Sequence, residues 1–160
     1  TKGKDALSNH LNFGVFYPLQ TFSFNKKIDF TKTPILIEGN SQKSLVKLKE
    51  LCKKLEVEFE EVDSKKRLHY HLAASFANNF TNHILSLTDE LVNKFKLEKK
   101  FFIPIANETF KKFQRNKSKE SQTGPAVRND LKTLKKHEEI LKKSNYLNLY
   151  KIITKSIKKK

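Results

Sequence analysis

Methionine and tryptophan are missing from this 160-residue chain, cysteine occurs once, at Cys52, and arginine only at Arg67, Arg115 and Arg128. Each shortage excludes something. One cysteine builds neither a disulfide framework nor a thiolate metal cluster, which points to the reducing cytoplasm. A chain that opens on Thr1 and holds no methionine reads as a piece of a longer or processed product. No apolar run is long enough, and free enough of amides and imidazoles, to span a bilayer, and no signal peptide opens the chain.

Basic charge is plentiful by contrast. The formal net charge is +16, which invites a polyanion partner through counterion release. Yet the excess is almost all lysine, whereas bidentate recognition of phosphate and guanine favours arginine. Thirteen asparagines beside the lysines suit compositional drift equally well. A solvated lysine surface is the expectation, with nucleic-acid binding ranked third among the functional readings.

One stretch escapes this pattern. From Leu68 to Thr88 there is no Lys, Arg, Asp or Glu, and the polar residues are His, Asn, Ser, Thr and Tyr. Neutral hydrogen-bonding groups in a charge-free segment are expected to be sheltered and to need partners.

The organisation around it is α+β. Phe13–Tyr17 and Pro34–Glu38 are short apolar runs bounded by turn residues, as buried strands require. A helix is predicted from Gln42 to Leu55, with Leu45, Leu48, Leu51, Cys52 and Leu55 on one stripe. Val57–Val62 alternates apolar and acidic residues, so strand, helix and strand make a βαβ unit with parallel pairing. From Asp63 or Ser64, either of which can cap, a long helix should run to about Phe95. Further helices are expected at Ile103–Asn116 with Pro104 in its first turn, near Ala126–Lys143, and at Asn145–Lys158. This divides the chain into 1–63 and 64–160.

On an ideal helix, His71, Ser75, Asn78, Asn82 and Ser86 lie within about 80° of one another, with Asn79 at the edge. Leu72, Phe76, Phe80, Ile84, Leu87 and Leu91 take the opposite side. The polar stripe is expected either to bond within the protein or across a dimer seam, or to line a cleft that orients a small polar ligand. His69 and His71 diverge on a helix and lack a partner carboxylate or thiolate, so no metal is assigned. A second cluster is Thr123-Gly124-Pro125-Ala126-Val127-Arg128-Asn129-Asp130. If Pro125 starts a helix, its free N–H groups and Arg128 can hold an anion; the plainer reading is a cap with an Arg–Asp surface pair.

The runs PLQTF (Pro18–Phe22), HLAASFANNFTNH (His71–His83) and TGPAVRND (Thr123–Asp130) resemble the C-terminal part of uncharacterised bacterial proteins with a Rossmann NADP-binding domain and a helical domain of unknown function. That group is similar to pyrroline-carboxylate reductases and the 6-phosphogluconate-dehydrogenase-like superfamily. The resemblance implies that 1–63 is the tail of a Rossmann sheet, about three strands and one helix. It implies that 64–160 is an all-helical dimerisation and substrate domain, with an active cleft between the two.

Matching the Lys-x-x-Asn-Asn pattern of the wider superfamily sets Asn79 as the substrate-orienting amide and places Ser75 where a proton-donating lysine is expected. His71, one turn earlier, then becomes the candidate acid. Gln20, Ser75, Asn78, Asn82, Thr123, Gly124, Arg128 and Asp130 become candidate substrate contacts. Gly3, Gly14, Gly39 and Gly124 cannot form a G-x-G-x-x-G turn, so NADP is expected through a domain preceding this chain, and the chain alone should be inactive. The leading expectation is a homodimeric NADP-dependent reductase of a small C=O or C=N substrate. The alternative is a non-catalytic helical dimerisation module.

Overall fold

Strand β1 (Gly14–Pro18) pairs antiparallel with β2 (Ile35–Gly39), and β3 (Phe59–Glu61) pairs parallel with the other side of β2. The computed structural model describes residues 3–22, 28–115, 118 and 120–159. Because β2 is central it is buried through Ile35, Leu36 and Ile37, as expected of a strand covered on both faces. Helix α1 (Gln42–Lys54) connects β2 to β3 and starts where the Ser41 side chain accepts from the Ser44 amide at 3.2 Å. Leu45, Cys52 and Val57 close onto Ile35 and Ile37 to form the core, with Phe16, Leu48 and Phe59 packed around it. The turn into α1 is tight: a Cβ on Gly39 would meet the Leu45 amide nitrogen at 2.8 Å.

The expected βαβ unit and its parallel pairing are present. The ladder strand is shorter than Val57–Val62, because the Val57 amide closes α1 instead. It donates to the Cys52 carbonyl at 3.1 Å, while Glu56, at φ 54°, donates to Lys53 at 3.1 Å. These paired bonds end a helix in a left-handed residue, a place usually taken by glycine.

The long helix is present too, but it is not one regular coil. Asp63 caps α2 (Ser64–Ala74) by accepting from the Lys66 amide. A π-helical turn follows at Ser75–Phe80, and α3 (Thr81–Lys94) continues. A π-turn carries one extra residue, which sets back the phase of everything beyond it by roughly one residue step, about 100°. Leu68, Leu72, Phe76, Phe80 and Ile84 are spaced by four and would drift by about 40° per step on a regular helix. The π-turn cancels much of that drift and draws them towards one line. On the polar side it turns Asn82 away from both His71 and Ser75, and Ser86 away from Ser75. The single straight stripe expected from a uniform helix is therefore corrected.

Side chains of α2 bind it to every strand of the sheet. Arg67 donates to Glu38 of β2, the Tyr70 hydroxyl donates to Glu60 of β3, and His71 Nδ1 lies 2.9 Å from the Tyr17 hydroxyl of β1. By contact the chain divides into two compact units, Thr1–Lys96 and Leu97–Lys160. The division falls after the long helix, where the sequence suggested Asp63.

In the second unit α4 (Ile103–Gln114) carries a proline in its first turn, as expected; Asn116, its expected last residue, lies outside the described residues. Helix α5 (Leu131–Leu141) packs against α6 (Leu147–Lys158), with Leu134 and Leu141 buried. The His137 ring and the Tyr150 hydroxyl meet at 2.9 Å across the pair. The helix expected from Ala126 begins five residues later. Gly124, at φ 110°, and Asn129, at φ 52°, are left-handed and interrupt a helix, so Asp130 becomes the cap.

A polar surface around a π-turn as the candidate functional site

The expected catalytic residues lie in the first unit. His71 projects from the last turn of α2, and the Ser75 hydroxyl donates to its carbonyl at 3.0 Å. Next to it, in the π-turn, the Asn78 amide donates to Asn79 Oδ1 at 3.3 Å. The Thr81 hydroxyl donates to the Phe76 carbonyl, five residues back, at 3.0 Å. Gln20 lies just beyond β1, and its Oε1 accepts from the Thr21 amide at 2.9 Å. Tyr17 is the penultimate residue of β1, and its hydroxyl meets the ring of His71, which stands four residues before the π-turn.

The expectation that this polar side is sheltered does not hold for the single chain. His71, Asn78, Asn79, Asn82 and Ser86 are exposed and Ser75 is half-buried. The greasy side is exposed as well, at 56% for Leu72, 61% for Phe76 and 53% for Phe80. A charge-free helix with both sides bare in the lone chain lacks a covering layer of its own.

Beneath this surface is a buried ion cluster. Glu38 accepts from Arg67 Nη1 and from the Ser64 hydroxyl at 2.8 Å, and Lys4 Nζ lies 3.3 Å away. Arg67 is 2% exposed and also donates to the Ser64 hydroxyl at 3.2 Å. Burial pushes the Glu38 carboxyl up, but the hydrogen bonds from Arg67, Ser64 and Lys4 outweigh it and hold the group below the ordinary carboxylate range. Nearby, Lys66 and Tyr70 hold the Glu60 carboxyl low, while Glu60 raises the Tyr70 phenol.

In the second unit the Thr123–Asp130 segment is a turn rather than a helix start. Asp130 accepts from the Thr133 amide at 3.0 Å and from its hydroxyl at 2.7 Å, and these bonds lower its carboxyl pKa. The N–H groups expected to hold an anion after Pro125 are therefore not those of a helix, and the real helix start is capped by a carboxylate. Arg128 is exposed, and its charge adds to the lowering of Asp130. A cavity of about 720 Å³ adjoins the same turn, lined by Glu120, Gln122, Ala126, Val127, Asn129, Ile157 and Lys158. Thr123, Gly124, Arg128 and Asp130 are not among its walls.

Sequence reasoning missed Tyr17, Glu38 and the π-turn. Signals existed for two of them. An acid inside the apolar run PILIE calls for a buried cation, and apolar residues spaced by four rather than 3.6 call for a wider turn.

The four glycines of the sequence form no G-x-G-x-x-G turn. Gly14 and Gly39 are cross-strand partners, and Gly39 and Gly14 both pack closely against their neighbours. The strand-to-helix turn after β2 is filled by Asn40, whose side chain accepts from the Phe13 amide and the Ser44 hydroxyl and donates to the Leu11 carbonyl. These residues do not fit a dinucleotide pyrophosphate, which needs bare backbone N–H groups there. Among the described residues no helix is long and apolar enough to cross a membrane.

A model of a family described as a domain of unknown function (DUF2520) matches residues 33–157. The crystal structure of a "putative NADP oxidoreductase" from Bacteroides fragilis superposes with a TM-score of 0.91 at 34% identity, covering 99% of this chain and 62% of that one. A crystal structure of a Thermotoga maritima protein superposes with a TM-score of 0.74 at 20% identity, covering 98% of this chain and 64% of that one, a likeness of fold alone. This chain therefore spans less than two thirds of the length of either structure. No curated protein matches.

Proposed function

The chain belongs to the DUF2520 family, and from that premise we propose that it is the C-terminal portion of an NADP-dependent reductase of a small polar C=O or C=N substrate. The observation that carries this is the likeness, over nearly the whole chain, to a longer protein described as a "putative NADP oxidoreductase". In this reading NADP is held by residues outside the chain, since its own glycines form no pyrophosphate turn. The chain contributes substrate-binding groups and a dimer seam. His71 acts as the acid, Asn79 orients the substrate, and Gln20, Ser75 and Asn78 line the approach.

A second copy of the chain is the proposed cover for the line Leu68, Leu72, Phe76, Phe80 and Ile84, because all five are exposed in the lone chain. This same observation favours the rival, a non-catalytic dimerisation module, and both can hold together. Kinship with pyrroline-carboxylate reductases and the 6-phosphogluconate-dehydrogenase-like superfamily remains part of the proposal, as does a cytoplasmic setting.

The test is calorimetric titration of the full-length protein with NADPH, followed by NADPH oxidation with a panel of small oxo and imino acids. Binding together with turnover on at least one panel member is expected. Dimers that neither bind nor oxidise NADPH would leave only the rival.

A further inference from the structure

Tyr17 and His71 stand 54 residues apart, on β1 and α2, yet the Tyr17 hydroxyl and His71 Nδ1 are separated by 2.9 Å. The rings meet edge to face, with centroids 6.4 Å apart and planes at 79°. Burial does not force this bond. His71 is exposed and Tyr17 half-buried, so water could satisfy either group. The fold nevertheless holds the tyrosine firmly. Tyr17 sits opposite Leu36 in the ladder, and Pro18 fixes the backbone just after it.

We infer that Tyr17 is the positioning partner that lets His71 act as an acid in its neutral form, through the 2.9 Å contact between its hydroxyl and Nδ1. The inference rests on the reductase reading for its substrate. A neutral imidazole carries one N–H, and accepting the Tyr17 hydroxyl at Nδ1 leaves that proton on Nε2. When a substrate carbon takes up hydride from a reduced nicotinamide, its oxygen or nitrogen gains negative charge and needs a proton. The Nε2–H bond breaks to supply it. The Tyr17 O–H bond breaks in turn, and its proton passes to Nδ1. The ring is then neutral with Nδ1–H; solvent protonates Nε2 as the Nδ1 proton returns to the Tyr17 oxygen, which restores the starting pair.

Without Tyr17 the fixed contact at Nδ1 is lost, and the exposed neutral ring can carry its one N–H on either nitrogen. Tyr17, from β1, is the titratable group bonded to the ring, and among the described residues no ion pair joins His71.

The experiment uses full-length protein with nitrogen-15-labelled histidine, as wild type and as Tyr17→Phe, at about pH 8, above the ordinary imidazole range. In the wild type His71 should show a bare Nδ1 coupled to a hydroxyl proton, and a protonated Nε2. Tyr17→Phe should lose that coupling and shift the Nδ1 signal while the backbone spectrum persists. A proton on Nδ1 in the wild type, or an Nδ1 signal unchanged by Tyr17→Phe, would overturn the inference. With any oxo or imino acid that turns over, kcat of Tyr17→Phe should fall about tenfold or more below wild type while KM stays close to it; an unchanged kcat would overturn it too. If no panel member oxidises NADPH, the reductase reading fails, and the nitrogen signals still decide what Tyr17 does to His71.

Discussion

Arg67→Ala should be the most informative single perturbation of the first unit, because it isolates the Glu38 carboxylate that the sheet and α2 share. Removing one member of a buried ion pair typically costs about 3–5 kcal/mol, since the other charge is left without its partner. Glu38 would keep the Ser64 hydroxyl at 2.8 Å and Lys4 at 3.3 Å, which places the loss near the lower end, about 3 kcal/mol. With a urea slope of roughly 2 kcal/mol per molar, the far-ultraviolet unfolding midpoint should drop by about 1.5 M at neutral pH.

The pH dependence carries a sign. In the wild type the Glu38 carboxyl is held low, so its contribution is full above the unfolded-state value of about 4.3 and fades as pH falls through the lower folded value. Arg67→Ala removes the foremost group holding it low and leaves burial, which raises it. Its deficit should therefore shrink as the solution is acidified towards about pH 4, where a neutral Glu38 no longer needs a cation. The double change Glu38→Leu with Arg67→Met should recover most of the loss. A midpoint shift below about 0.3 M at neutral pH, against the expected size, or a deficit that does not vary with pH, would refute the reasoning.

Phe76→Lys should weaken self-association of the full-length protein by roughly a hundredfold, on the basis of about 3 kcal/mol for a large apolar side chain buried in each dimer seam; sedimentation that keeps the wild-type mass at equal concentration would count against a seam there. Asp130→Ala should speed hydrogen exchange at the Thr133 amide without touching α2, and in the wild type that protection should weaken as pH falls through the lowered Asp130 value. Gly39→Ala should cost about 1–3 kcal/mol in chemical unfolding, because its methyl would press on the Leu45 backbone nitrogen at 2.8 Å; a stability equal to wild type would mean that the turn into α1 yields.

Much of the architecture was legible in the residues because local chemistry settles it. The run PILIE reads as a central strand, the leucine stripe from Leu45 reads as α1, and Asp63 is placed to cap α2. What escaped was long-range or depended on an inserted residue. The Tyr17–His71 and Glu38–Arg67 pairs join positions 54 and 29 residues apart, and although Glu38 in PILIE called for a cation, no pattern along the chain says which residue partners which. The π-turn defeated projection on a uniform helix, although the spacing by four from Leu68 to Ile84 was its trace. Pro125 favoured a helix start, but the left-handed Asn129 prevailed. As for the candidate site, the residues around His71 and Asn79 are neighbours along one helix, so their grouping was readable. Their exposure was not, because a charge-free helix looks the same in sequence whether its own chain or another molecule covers it.

The account depends most on what His71 and Asn79 do in the full-length protein. Steady-state NADPH oxidation by the wild type, His71→Gln and Asn79→Ala, each confirmed as folded and of wild-type mass, measures this directly. Loss of a positioned acid should lower kcat for His71→Gln by at least about a hundredfold, with Asn79→Ala impaired in kcat/KM. Turnover in both variants at the wild-type rate would show that this helix surface serves assembly alone.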